Sequence, residues 1–358
     1  MFENVVVGAG LAGLVCAINL AREGRDVLVI EREQRIGGSP LYHPSPEGTP
    51  IDLEGIKAYT GIDISPAVKK FTSGRAVVYG EVVPADMDAI SSYMIERGPR
   101  STSLDSYLYS LALKSGVKFE FGRGCFSPDD FMQLPPDSVV ATGLHFEGFD
   151  SFLVPYLTSF HYLARKKIED TDSTHVTIYH DDFTTDYAYT SSINGVLLAH
   201  LFQRYPIKKD ALKHFQERVY ITEGFEFDSW EHFTFPVPAA SISNPRIFGG
   251  RTILAGTLSG CMEPYMFFGI HGALVSGKIA AIAVSDRGKA HEEFLKATSS
   301  FRSAYLLKKA LSFVPKGVYG AALKAALRRL PEDERIGRFV KHGMLGWKNC
   351  QSVVAKKY

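Results

Sequence analysis

Three glycines and one carboxylate carry the first piece of recognisable chemistry in this chain. Gly8, Gly10 and Gly13 follow the apolar run Val5-Val6-Val7 in G-x-G-x-x-G spacing, and Glu31 closes a second apolar run, Val27 to Ile30. Each position has a physical job. Gly8 permits a sharp turn, Gly10 lets a pyrophosphate approach the backbone, and Gly13 lets a helix lie close on the strand. The amides around Leu11 and Ala12, at the start of that helix, favour phosphate oxygens. Glu31 falls roughly 20 residues beyond the glycines, where an acid can accept ribose hydroxyls; Arg32 beside it is grouped with this set. The order strand, glycine turn, helix, strand, acid is that of a dinucleotide site. A bare strand–helix–strand unit with no ligand is the other reading.

Past the acid, Gly37-Gly38 lets backbone run close to a bulky ligand. With the earlier residues it resembles the N-terminal signature of FAD-dependent oxidoreductases. Further on, Arg100-Ser-Thr-Ser-Leu-Asp105-Ser-Tyr-Leu108 resembles the arginine motif of the p-hydroxybenzoate hydroxylase-like flavoproteins, a superfamily that includes aromatic monooxygenases, flavin halogenases and geranylgeranyl reductases. The resemblance implies that Arg100 reaches the cofactor; a surface arginine near a helix start is the alternative. Val139-Val-Ala-Thr142-Gly143 is similar to the strand and turn at which such proteins return to the nucleotide domain. Gly256-Thr257, Pro264, Gly269-Ile270 and the helix around Ala273 resemble the superfamily's C-terminal FAD motif in order and spacing. One departure stands out. The family usually has aspartate where this chain has Thr257, which offers a hydrogen bond but no charge; a cofactor-free descendant of the fold is therefore a second alternative.

The resemblance puts three more side chains beside the ring system. Glu263 is the first choice for a general acid or base, suited to reduction of a carbon–carbon double bond or its reverse. Cys261 and His271 are the other catalytic candidates. The plainer readings are a loop carboxylate, a small buried cysteine and a core histidine. His43 is a loop residue that either faces the cofactor or is solvated.

These residues need elements to hold them. The 358 residues are 45% apolar and 22% charged with a net charge of +1, ordinary for a soluble globular chain and no argument for nucleic acid. Four cysteines, Cys16, Cys125, Cys261 and Cys350, show no CxxC pair and no metal spacing, so neither a disulfide framework nor a metal site is expected and a cytoplasmic setting fits. The N-terminus lacks a basic signal-peptide start, and no apolar run is long enough to span a membrane.

The expected architecture is α/β (α+β): a Rossmann-like FAD-binding domain, an antiparallel-sheet substrate domain and a helical C-terminal segment. Residues 1–62, 90–145 and 245–288 are assigned to the first, 63–89 and 146–244 to the second, and 289–358 to the third. Gly38 to Gly61 reads as loop, Val68 to Pro84 as antiparallel strands, Ser103 as a helix cap, Asp181-Asp182 and Asn194-Gly195 as hairpin turns, and Lys208 to Val219 as a helix. Tyr, Phe, Thr and His crowd the region 146–235, which suits an apolar or ring-shaped substrate or simply a core. The basic C-terminal segment either packs over the substrate domain or sits peripherally on an anionic membrane.

The function this implies is an FAD-dependent oxidoreductase, closest to the geranylgeranyl reductase branch, moving hydride to or from a carbon–carbon bond of an apolar, isoprenoid-like or ring-containing substrate. A flavin monooxygenase of an aromatic or alicyclic substrate and a non-catalytic scaffold are the alternatives. Trp230 and Trp347 stand far apart, which disfavours a halogenase with its Trp-x-Trp motif. No second dinucleotide motif is present, so NAD(P)H would bind transiently or a redox partner would supply electrons.

Overall fold

The computed structural model describes residues 2–238 and 245–340. Lys341, Trp347 and Cys350, and with them the end of the expected basic segment, lie outside the described residues.

The β-branched run Asn4–Val7 forms β1, and Val27–Glu31 forms β2, paired in parallel. Between them, α1 (Leu11–Arg22) buries every residue from Leu11 to Leu20. Such complete burial suits a crossover helix covered on its outer side too. After these come β3 (Ser45–Pro50), α2 (Leu53–Thr60), β4 (Val68–Lys69), β5 (Ser73–Val78), β6 (Glu81–Pro84), β7 (Ser92–Arg97), α3 (Leu104–Lys114), β8 (Lys118–Phe121), α4 (Pro128–Met132), β9 (Val139–Val140) and α5 (Phe146–Ser151). The second half contains β10 (Tyr156–Lys167), β11 (His175–His180), β12 (Tyr187–Ile193), β13 (Val196–Gln203), α6 (Lys209–Glu223), β14 (Glu231–Pro238), β15 (Phe248–Gly249), β16 (Thr252–Leu254), α7 (Ile270–Ser285), α8 (Arg287–Thr298), α9 (Phe301–Leu311), α10 (Lys316–Arg329) and α11 (Glu334–Phe339).

Three sheets result. A six-stranded sheet in the order β15-β16-β9-β1-β2-β8 is parallel except at β15. A seven-stranded sheet runs β14-β10-β13-β12-β11-β5-β6. It is antiparallel apart from β5, which lies parallel to β11. A small sheet, β3-β7-β4, is the third.

The stretch from Gly38 to Gly61, read as loop, holds β3 and α2 instead. Proline and glycine made Ser45-Pro-Glu-Gly-Thr-Pro50 look irregular, but β3 is an edge strand, where proline is tolerated. Asp52 in that stretch caps α2 by accepting from the Gly55 amide at 2.9 Å. The strands expected between Val68 and Pro84 divide: β4 joins the small sheet, β5 and β6 the large one. Ser103 caps α3 as expected, and Asn194 and Gly195, at φ 53° and 76°, make the β12–β13 turn. Asp181-Asp182 opens a longer link between β11 and β12.

The seven-stranded sheet sorts its residues by strand period. On β13, Ala199 and Leu201 face α6 with Phe215 and Val219, while Leu198 and Phe202 face the opposite side with Tyr187, Tyr189 and Phe267. That second face looks toward the six-stranded sheet. The C-terminal helices do pack over the substrate sheet, with α10 against β5 and β6.

Candidate active site

Between the two large sheets lies one cavity of about 430 Å³. One end is the glycine cradle. Gly8, Gly10, Leu11, Ala12, Glu31, Arg32, Gly37 and Gly38 border it, with Thr142, Gly143, Gly256, Thr257, Gly269 and Ile270.

The cradle's geometry explains its glycines. Gly8 has φ 98°, and a Cβ there would stand 2.5 Å from the Ala141 carbonyl oxygen. At Gly10 a Cβ would meet nothing within 4 Å, so open space begins at the backbone. Gly13 does not border the cavity: a Cβ on it would sit 2.0 Å from the Gly8 carbonyl oxygen, so its place is the close contact of helix on turn. Gly37 has φ 59° and would carry a Cβ 2.3 Å from the Gly98 carbonyl carbon, so its first constraint is backbone crossing backbone rather than ligand.

No side chain caps α1 or α7 at its N-terminus. Both helices open toward the cavity through Gly10 and Gly269, so their leading amides and dipoles point at whatever fills it. Glu31 accepts from the Ala9 amide at 2.7 Å and the Glu33 amide at 2.9 Å. Those bonds fix the carboxylate at the cavity edge, although burial raises its pKa. Thr142 brings a buried Oγ1 with no hydrogen-bond partner among the described residues. Thr257 also borders the cavity.

Four site expectations need correction. Arg100 does not line the cavity: its Nη2 donates to the Asn194 carbonyl at 2.8 Å and its Nε lies 3.1 Å from Glu96. Arg97 borders the cavity in its place, gripped by Asp105 through Nε at 2.8 Å and Nη2 at 2.9 Å. The two arginines flank the turn Gly98-Pro99, and spacing alone does not say which turns inward. Glu263 is fully buried beneath its own loop rather than on the cavity wall, accepting from the Tyr265 amide and, at 2.6 Å, from Met266. Burial pushes its carboxyl up to about 8. It shapes the loop from which Met266, Phe267 and Phe268 line the cavity. Cys261 is packed in the nucleotide-domain core, its thiol pushed up to about 11 by burial, which suits an inert thiol. His271 is buried on α7 outside the cavity lining, its pKa lowered to about 4 by burial. His43 pairs with Arg35 at 2.8 Å, also away from the cavity.

The other end of the cavity is the substrate-sheet face. Val176, Ile178, Phe202, Phe235 and Val237 make it apolar, and His161, His200 and Tyr189 make a polar strip across it. The strip was hidden in the sequence because each residue alone reads as core. The roof comes from the C-terminal region: Tyr319, Leu323 and Leu327 of α10, with Leu330, also line the cavity. Meanwhile basic residues of that region pair with acids of the substrate domain, Lys324 with Glu81 at 2.6 Å and Lys308 with Asp186 at 3.0 Å. Among the described residues, no group of three or more His, Cys, Asp or Glu side chains could hold a metal ion, and no helix is long and apolar enough to cross a membrane.

Fold and site define a two-domain protein: a dinucleotide-binding module facing a ligand-holding sheet. Residues 6–73 match the profile of the NAD(P)-binding Rossmann-like domain. Flavin-containing monooxygenase FMO GS-OX2 of Arabidopsis thaliana is 52% identical over 50 residues, which are 14% of this chain and 11% of that protein. Solved structures extend the likeness to the whole fold. A geranylgeranyl bacteriochlorophyll reductase-like protein from Thermoplasma acidophilum aligns over 99% of this chain and 98% of its own, with TM-score 0.70 and 15% identity. p-Nitrophenol 4-monooxygenase PnpA from Pseudomonas putida aligns over 95% and 96%, with TM-score 0.65 and 13% identity. CtdE, solved in complex with FAD, aligns over 92% and 100%, with TM-score 0.57 and 11% identity. The chain has the fold these flavoproteins share.

Proposed function

We infer that this protein is an FAD-dependent oxidoreductase acting on a small apolar or ring-containing substrate. One observation carries the reading: a single cavity joins the glycine cradle to the apolar face of the substrate sheet under α10. The cradle suits the cofactor on its own evidence. Open space begins at Gly10 and Gly143, two uncapped helix starts face inward, and Thr142 Oγ1 has no hydrogen-bond partner there. Gly8, Gly10, Leu11 and Ala12 would hold the pyrophosphate, Glu31 the ribose, and the α7 start with Thr257 the far end.

When bound, FAD supplies the two-electron chemistry. This chain's residues bind the substrate against Phe202 and Phe235, exclude water beneath α10 and supply hydrogen-bonding groups along the polar strip. Reduction or dehydrogenation of a carbon–carbon bond is the reaction we favour, because the cavity is closed and its substrate end is largely apolar. Hydroxylation is the second reading; the polar strip ending at His161 favours it, since it could activate a hydroxyl-bearing ring.

The test begins with the visible spectrum of the purified protein and acid release of its cofactor. Flavin bands and released FAD support the reading; no bands, and no uptake of added FAD, would sink it in favour of a scaffold. Oxygen consumption by the reduced protein then divides the reactions, with substrate-stimulated uptake pointing to hydroxylation.

A further inference from the structure

The polar strip is a continuous hydrogen-bonded chain with one free end. His161 Nδ1 lies 2.8 Å from His200 Nε2. His200 Nδ1 lies 2.9 Å from the Tyr189 hydroxyl, which donates to Glu47 Oε2 at 3.0 Å. Glu47 Oε1 accepts from the Ser45 hydroxyl at 2.5 Å. At the other end His161 Nε2 is buried with no hydrogen-bond partner among the described residues. His161 is 8% exposed and borders the cavity, its ring stacked on Phe202 at 5.5 Å and edge-on to Phe235 at 4.9 Å. A buried polar nitrogen without a partner is costly, and it is tolerated where a ligand supplies the missing bond.

The chain has two self-consistent proton arrangements. With Glu47 ionised, Tyr189 donates to it, His200 Nδ1–H donates to Tyr189, and His161 Nδ1–H donates to His200. His161 Nε2 then presents a lone pair. With Glu47 protonated every bond reverses, and His161 presents an Nε2–H. Both states keep both imidazoles neutral. Burial favours that, pushing His161 down to about 3 and His200 well below its usual range. Burial also raises the Glu47 carboxyl, which makes it a better resting place for a proton. The charged or titratable groups facing the chain are Arg97 and Arg165 at Glu47, Arg165 at His200, and His232 and Asp186 at His161.

We propose that His161 takes the hydroxyl proton of an apolar substrate bearing a phenol- or enol-type oxygen, and that His200 and Tyr189 pass a proton on to Glu47. This rests on the cavity being the substrate site of the preceding section and names the class of molecule it takes. The balance is complete without an outside reactant. The substrate O–H bond breaks and an Nε2–H bond forms on His161. The Nδ1–H of His161 goes to His200, that of His200 to Tyr189, and the Tyr189 hydroxyl proton to Glu47. The negative charge moves from Glu47 to the substrate oxygen, which His161 now holds by donation. No electron is transferred. His161 touches the substrate; His200, Tyr189 and Glu47 act through it.

The experiment uses 4-nitrophenol, whose ionised form is coloured, and its methyl ether, which has no proton to give. Each is titrated into the full-length protein in weak buffer with a pH indicator, and flavin content is measured on the same sample. The expected result is tighter binding of the phenol than of the ether, by about tenfold. The phenolate colour should persist about one pH unit or more below the free probe's midpoint, with no proton released to solvent. Tyr189→Phe should bind the probe in its neutral form, and His161→Phe should erase the preference over the ether. Equal binding of phenol and ether would overturn the proposal. So would one proton released per probe, or unchanged phenolate colour in Tyr189→Phe. A flavin-free protein that still ionises the probe sinks the oxidoreductase reading alone; a flavin-loaded protein that binds it only as the neutral phenol sinks the relay alone.

Discussion

Glu31 shows what a single side chain can be asked to do at this site. It is half-buried at the cavity edge and already holds two backbone amides, Ala9 at 2.7 Å and Glu33 at 2.9 Å. Replacing it by alanine removes a ribose acceptor and unties the turn that carries the pyrophosphate amides. Glu31→Ala is expected to weaken FAD binding by at least about tenfold, since a hydrogen bond to a charged group contributes roughly 1.5–3 kcal/mol; fluorescence titration of flavin-stripped protein checks it. Glu31 was legible because its acid sits at a strand end after the glycines. Glu263 was misread because its sequence neighbourhood, a proline loop before a helix, looks the same whether the carboxylate faces a ligand or folds back onto its own amides. His161 and His200 were invisible as a pair: 39 residues separate them, and only the β10–β13 pairing brings them together.

Among elements, the contact of α1 with α7 is the one the cradle depends on. Gly277 on α7 allows it: a Cβ there would lie 2.4 Å from the Ala12 carbonyl oxygen and 3.0 Å from the Val15 Cβ. Backbone cannot yield as a flexible side chain can, so Gly277→Val must push the helices apart. We expect it to cost about 1–3 kcal/mol of stability and to lower flavin affinity along with it, because Leu11 and Ala12 move with α1; thermal melts with and without FAD read both effects. The helices and the nucleotide-sheet strands were legible from periodicity and glycine placement. The edge strand β3 was not, since its proline and glycine content mimics loop, and the parallel insertion of β5 beside β11 has no local signature at all. The C-terminal helices were legible as helices, but their role as the cavity roof depends on Tyr319, Leu323 and Leu327 meeting a sheet contributed by distant segments.

For the whole molecule the buried histidines set the acid limit. Burial lowers His145, His180 and His271 to about 4 and His161 to about 3, from 6.5. Because each folded pKa lies below its unfolded value, the unfolded chain binds the extra protons. Their contribution is full above about pH 6.5 and drains away as pH falls toward 4. Glu263 works in the opposite sense: its pKa rises from 4.5 to about 8 on folding, so its contribution fades as pH climbs through that range. Below pH 6.5 the four histidines outweigh the one carboxyl. Denaturant midpoints are expected to fall steeply between pH 6.5 and 4, and His271→Asn to flatten that slope by about one proton. A midpoint that holds steady to pH 4 would mean these imidazoles are not buried as described.

The central order of the nucleotide sheet also sets a timetable for synthesis. β9 lies between β1 and β16, yet β16 (Thr252–Leu254) follows β9 (Val139–Val140) only after the entire substrate sheet has been made. At the usual translation rate of about 5–20 residues per second, β9 waits roughly 6–23 s with one apolar edge unpaired. Until β16 docks, the nascent chain exposes a template for strand addition, so chaperone engagement during that interval should govern the yield of folded protein more than the stability of the finished molecule does.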